Sequence, residues 1–205
     1  MKCGINGAEH DFNEIPCGIN GAVRQASELW IGVNGAVKKV WPTFPIGTQI
    51  VLDTVGSGTW TCPASGEWEV ELHGGGGSGG PGLNYYKGAG GGGSGSVFTI
   101  SFEKGASFEY TIGAGASSPH KDGESTQIAQ LSVDGARSAS YYRGGAGAGN
   151  LGTAGRDGDT NIIGTGGYGN RNKPEQPYGN GGNGGPVQGT QKPGKDGAII
   201  LTYLG

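Results

Sequence analysis

Leu72-His73-Gly74-Gly75-Gly76-Gly77-Ser78-Gly79-Gly80-Pro81-Gly82 is the stretch on which the fold turns. After Leu83-Asn84-Tyr85-Tyr86-Lys87 it resumes as Gly88-Ala89-Gly90-Gly91-Gly92-Gly93-Ser94-Gly95. An alternating segment, residues 67–72, runs straight into it, and an apolar segment, residues 198–204, closes the chain. Glycine loses more conformational entropy on folding than any other residue. With 48 glycines among 205 residues, against an ordinary usage of about 7%, the chain is either disordered or built on backbones that pack without side chains.

Spacing favours the second. Gly74, Gly77 and Gly80 fall every third residue, as do Gly149, Gly152, Gly155 and Gly158, and again Gly179, Gly182 and Gly185. Three residues per turn is the period of an extended polyproline-II-type helix. Glycine at each third position lets such helices touch and exchange N–H···O=C bonds, which offsets part of the ordering cost. Flexible loops are the alternative.

Composition supports a folded chain. It carries 4 Trp, 8 Tyr and 5 Phe with only 15% charged residues and a net charge of −3, unlike a solvated polymer. That balance gives no reason to expect nucleic acid or an anionic membrane as partner. No apolar run is long enough to span a bilayer, and residues 1–7 lack the apolar core of a secretory signal. Folding in a cytoplasm is expected, with no membrane insertion. Cys3, Cys17 and Cys62 occupy apolar slots and read as small reduced hydrophobes. A Cys3–Cys17 disulfide is the alternative, and no second ligand pair is spaced for zinc.

Residues 1–42 are a repeat of three 14-residue units, 1–14, 15–28 and 29–42. Their cores read Cys3-Gly4-Ile5-Asn6-Gly7-Ala8, Cys17-Gly18-Ile19-Asn20-Gly21-Ala22 and Ile31-Gly32-Val33-Asn34-Gly35-Ala36. Asn-Gly between apolar residues is a strong hairpin signal, because a type I′ turn needs positive φ at both central positions. Pairing about Asn34-Gly35 predicts Leu29, Ile31, Val33, Ala36 and Val40 on one face, with Trp30, Gly32, Val37 and Lys39 on the other. Three short hairpins make a thin sheet, marginal alone. The repeat is therefore expected to anchor or oligomerise the chain. Trp41-Pro42-Thr43-Phe44-Pro45 reads as a semi-rigid run into the linker, residues 43–47.

The remainder, residues 48–205, reads as a small antiparallel sandwich. Strands are predicted at residues 48–54, 59–62, 67–72, 96–103, 107–112, 127–133 and 198–204. Gly56-Ser57-Gly58 reads as a turn, and residues 96–112 as a hairpin about Lys104-Gly105-Ala106. Trp68, Val70 and Leu72 are expected to face in, with Glu67, Glu69 and Glu71 a solvated face. The fold expected is all-β: hairpin repeat, small antiparallel β-sandwich, and packed polyglycine-II-like extended loops.

Three motifs invite a familial comparison. They are Gly58-Thr59-Trp60-Thr61-Cys62-Pro63-Ala64, Trp68-Glu69-Val70-Glu71-Leu72-His73-Gly74-Gly75-Gly76-Gly77, and the closing Gly197-Ala198-Ile199-Ile200-Leu201-Thr202-Tyr203. In this order they resemble the glycine-rich domain of bacteriophage tail-fibre and tail-tip proteins, which usually carry a small aliphatic residue where this chain has Cys62. The 14-residue unit resembles the Gly-Val-Asn-Gly-Ala-type repeats of phage virion structural proteins. The resemblance implies a non-enzymatic, oligomeric virion component, often a homotrimer. Residues 1–42 would contact its own copies and other virion proteins, and the tip a host cell-surface glycan or protein. A decoration fibre of capsid or tail with a structural role only is the alternative.

No family motif transfers to binding residues, so candidates rest on this chain. Tyr85-Tyr86-Lys87 and Tyr141-Tyr142-Arg143 flank glycine tracts, as do Tyr168 with Asn170, and Tyr178. Tyrosine among Gly, Ser and Asn is the composition of adaptable binding loops. The competing reading is that these rings cover flat polyglycine surface as packing. Asn170-Arg171-Asn172-Lys173 through Tyr178, and residues 117–123, read as exposed polar loops at an end of the domain. Asp157, Asp159 and Asn161 have the alternating oxygens that begin a calcium loop. They lack Gly at the sixth position (Ile162) and an acid at the twelfth (Tyr168), so calcium is the weaker alternative to no metal. No cofactor is expected. No nucleophile arrangement or phosphate loop is present, and no carboxylate pair suggests a depolymerase.

Overall fold

Each Asn-Gly pair is flanked by two short strands in the same register. In the computed structural model, β1 (Lys2–Ile5) pairs with β2 (Ala8–Asp11), β3 (Pro16–Ile19) with β4 (Ala22–Gln25), and β5 (Leu29–Val33) with β6 (Ala36–Trp41). Ile5, Ile19 and Val33 oppose Ala8, Ala22 and Ala36. The structure describes residues 44–82, 87–117, 120–186 and 190–205, and the backbone of these six strands. The Asn-Gly turns, Pro42-Thr43 and the side chains of residues 1–43, with Cys3 and Cys17 and the faces expected of the third unit, lie outside the described residues. Two expectations are corrected. The hairpins form three separate two-stranded sheets, and Trp41 belongs to β6, opposite Leu29 across a bulge that takes up one residue. By contacts the chain divides into Met1–Phe44 and Pro45–Gly205.

Within Pro45–Gly205, alternation sets the strands and aromatic packing sets the layers. One antiparallel sheet has the order β10 (Ser96–Phe102), β9 (Gly66–His73), β14 (Ala198–Tyr203), β7 (Gln49–Leu52). The other has β13 (Leu131–Val133), β12 (Thr126–Ile128), β11 (Ser107–Ile112), β8 (Gly56–Thr61). Trp68, Val70, Leu72, Ile199 and Leu201 of the first sheet and Ile112 and Ile128 of the second are at most 1% exposed. Trp60 meets Trp68 edge-on at 5.4 Å and Phe102 at 5.2 Å, and Cys62 is a buried hydrophobe. The molecule is a small all-β sandwich. Among the described residues no helix is long and apolar enough to cross a membrane.

Three strand expectations need correction. β10 and β11 do not form a hairpin; they belong to opposite sheets. The turn between them is anchored elsewhere: Gly105 N–H donates to Cys62 O (2.8 Å) and Lys104 N–H to Ser65 Oγ (2.9 Å). The crossing brings Phe102 and Phe108 together at 4.6 Å. Gly56-Ser57-Gly58 is strand, not turn: Gly58 faces Tyr110, whose ring carbon Cζ would lie 2.6 Å from any Cβ there. Residues 127–133 are not one strand but two, joined at Ala129 with φ 52°. That left-handed turn carries no Gly or Asn to announce it.

Beyond His73 the backbone forms an array of extended segments. Gly75 and Ser78 donate to Glu124 and Lys121, Gly76 and Gly79 to Lys195 and Lys192, and Gly77 and Gly80 to Gly92 and Ala89. Every third residue returns to the same neighbour, the signature of a threefold helix. The carbonyls of Gly75 and Ser78 accept from Ala136 and Ala139, those of Gly77 and Gly80 from Gly182 and Gly185, and that of Gly76 from Ala116. The returning run, residues 88–95, is surrounded in the same way: Gly88, Gly91 and Ser94 donate to Gly185, Gly182 and Gly179, and Gly90 and Gly93 to Arg156 and Thr153. The central runs are glycine because neighbours occupy the place of a side chain. A Cβ on Gly77 would overlap the Arg137 carbonyl, and one on Gly91 the Gly77 carbonyl. Gly149 and Gly179 depart from the expected triplets, each sitting in a turn with positive φ, 72° and 63°.

Peripheral runs have no further helix to bond, and side chains take its place. Asn180 Oδ1 accepts from Gly169 N–H (2.6 Å) and Asn183 Oδ1, three residues on, from Gly166 N–H (2.8 Å). Asp122, Asp157 and Asp196 accept from the N–H groups of Ser138, Gly144 and Gly115 in the same manner.

Candidate functional site

The register of the array divides the candidate residues between its two ends. Runs rise from the sheets and return, so their connections lie either at a distal tip or at a base against the sandwich. At the tip, Lys87 N–H donates to Asp159 O (2.9 Å), Gly158 N–H to Tyr142 O (3.0 Å) and Ala89 N–H to Tyr141 O (3.1 Å). Lys87, Tyr141, Tyr142 and Arg143 are thereby brought together; Tyr85 and Tyr86 lie outside the described residues. Tyr141 and Tyr142 are 45% and 50% exposed, and the Tyr141 ring meets His120 edge-on at 5.2 Å. Ile162 and Ile163, also exposed, are in the adjoining turn, where Asp159 N–H donates to Ile162 O.

Of the oxygens considered for calcium, one on Asp157 and one on Asp159 are engaged in local bonds. Asp157 Oδ1 accepts from Gly144 N–H, and Asp159 Oδ1 accepts from the N–H and hydroxyl of Thr160. Among the described residues no three His, Cys, Asp or Glu side chains gather as a metal-ligand group.

Tyr168, Asn170, Arg171, Lys173 and Tyr178 are at the base. Tyr168 is half exposed, while Arg171 donates from Nη2 to Asn150 O. The expectation of an exposed loop fails for Asn170, which is 3% exposed. Its Nδ2 donates to Glu71 Oε1 (2.5 Å), and its Oδ1 accepts from Asn172 N–H (2.9 Å). Glu71 is itself 3% exposed, which corrects the reading of Glu67, Glu69 and Glu71 as one solvated face. The loop folds back over the end of β9 and so buries the carboxylate, bringing with it the donors that a buried carboxylate requires.

Glu71 receives three of them. His73 Nε2 lies 2.9 Å from Oε1, Asn170 Nδ2 bonds the same oxygen, and Lys173 Nζ lies 3.2 Å from Oε2. Burial alone would raise its pKa, but these three partners outweigh it and hold the carboxyl at about 2. His73 is fully buried, and among the described residues its Nδ1 has no hydrogen-bond partner. The nearby Tyr178 hydroxyl donates to Asp53 Oδ2 (3.2 Å), and burial together with that carboxylate pushes its pKa up.

Glu71 and His73 escaped the sequence reading. The only local signal was Glu-x-His on one strand face, two residues apart. Their partners Asn170 and Lys173 are 99 and 102 residues from Glu71, a separation no local pattern spans.

Residues 53–138 match the family model of a glycine-rich domain. The match takes in β8 through β13 and the first two runs of the array, so the glycine-rich part of the resemblance is supported. No curated protein matches the chain.

Proposed function

We propose that this chain is a non-enzymatic structural protein of a bacteriophage virion, an oligomeric tail-fibre or tail-tip component whose glycine-rich unit meets the host surface. Residues 1–42 would hold it to its own copies, as a homotrimer, and to other virion proteins. The observation that carries the reading is the gathering of Lys87, Tyr141, Tyr142 and Arg143 on connections at the distal end of a backbone-bonded array. Such an array holds its ends stiffly, and surface connections of this kind tolerate sequence change better than the runs they join. Exposed tyrosines offer flat contact area at low entropic cost to a glycan or protein.

Adsorption tests this directly. Purified protein is expected to bind host cells and to block phage adsorption. Tyr141→Ala with Tyr142→Ala is expected to weaken that binding about tenfold or more while the protein still folds, as a cooperative melt would show. Undiminished blocking by the double variant would refute the tip assignment. The second reading, a decoration fibre without a receptor, draws on the internal engagement of Asn170 and Tyr178; it predicts no cell binding by the unaltered protein.

A further inference from the structure

At the base, on the outer face of the first sheet, β9, β10 and two turns of the array line an open hollow of about 200 Å³. Glu69, Glu71 and Val97 line it from the sheet, and Leu151, Asn170, Asn172 and Lys173 from the turns above. We infer that this cavity is a binding site for a single hexopyranose unit, distinct from the tip.

Size sets the first limit. About 200 Å³ is the liquid volume of roughly seven waters and smaller than the ~300–1,000 Å³ of pockets for drug-sized ligands. It accommodates one hydroxylated ring within its walls, and anything attached to that ring would extend out through the open mouth.

The lining chemistry sets the second. Two carboxylates against one ammonium disfavour an anion. A bare cation would face the Lys173 ammonium, and the Glu71 oxygens are already committed to three donors. Val97 and Leu151 offer an ion nothing. A pyranose uses every part: its C–H face rests on Val97 and Leu151, and its hydroxyls meet acceptors at Glu69 and donors at Lys173 and Asn172.

The walls are also set in advance. Glu71 and Asn170 are each 3% exposed, and both Asn170 polar atoms are engaged inside the protein. A ligand would therefore bind without having to order them. Glu69 and the half-exposed Lys173 remain at the mouth.

The test uses the full chain and methyl glycosides of glucose, galactose, mannose, N-acetylglucosamine and N-acetylgalactosamine, observed through the methyl signals of Val97 and Leu151. At least one glycoside is expected to shift both signals with a dissociation constant of about millimolar order. Glu69→Gln and Asn172→Ala should each weaken it about tenfold with an unchanged melting temperature. Silence of both methyls with all five sugars would overturn the inference, as would shifts that neither substitution alters. Shifts confined to the Tyr141 and Tyr142 ring signals would overturn it too, yet leave the tip reading standing. Loss of cell binding in the tyrosine variant, with Val97 and Leu151 still responding, would sustain both sites separately.

Discussion

Glu71 shows how one residue's chemistry follows from where the chain returns. On β9 it would read as one more solvent-facing carboxylate, but Asn170 and Lys173 arrive from the far end of the sequence and close over it. Its folded pKa of about 2 lies below the ordinary 4.5, so its contribution to stability is fully present above about pH 4.5. That contribution is lost as pH falls toward 2, and is on the order of 2 kcal/mol with half-exposed Lys173 discounted for solvent screening. Glu71→Gln removes the titration. Thermal melts between pH 6 and pH 2 are expected to fall more steeply for the unaltered protein than for this variant. Parallel curves would show that the cluster carries no net electrostatic stabilisation.

Individual runs of the array are held by backbone bonds, so their tolerance to substitution inverts the usual rule for cores. A methyl group, the mildest change in an ordinary interior, is severe where a carbonyl occupies the space. Gly77→Ala is expected to cost about 3 kcal/mol or more, at the upper end for overpacking, since the Cβ meets the Arg137 carbonyl. Gly105→Ala supplies the comparison: it has open space but φ 83°, and is expected to cost about 1–2 kcal/mol from backbone conformation alone. Chemical denaturation of both variants measures the difference, and equal losses would argue against tight backbone packing. At the periphery, Asn180, Asn183, Asp122, Asp157 and Asp196 perform for helices the service that charges and prolines perform for edge strands. They satisfy N–H groups that no neighbouring run reaches.

For the whole molecule, oligomerisation is the quantity that the thin hairpins of residues 2–41 make worth measuring. A two-stranded hairpin is marginal in water. Light scattering is expected to give three times the chain mass, with a melting temperature that rises with protein concentration; a monomer melting independently of concentration would remove the trimer from the proposal. Much of the architecture was legible beforehand. Asn-Gly marked the hairpins, Trp68-x-Val70-x-Leu72 marked a half-buried strand, and glycine at every third position marked the threefold helix. Each is a local relation between residue type and backbone geometry, and so is written in consecutive residues. What the sequence by itself determined was the threefold spacing of these glycines, which favoured extended runs packed by their backbones over flexible loops. Only the tertiary structure decided that β10 and β11 part into opposite sheets, that Tyr141 and Asn170 lie at opposite ends of the array, and that Glu71 is buried. Those outcomes depend on which segments meet across about a hundred residues. Glycine runs, having no side chains, carry no label for the neighbour each will choose.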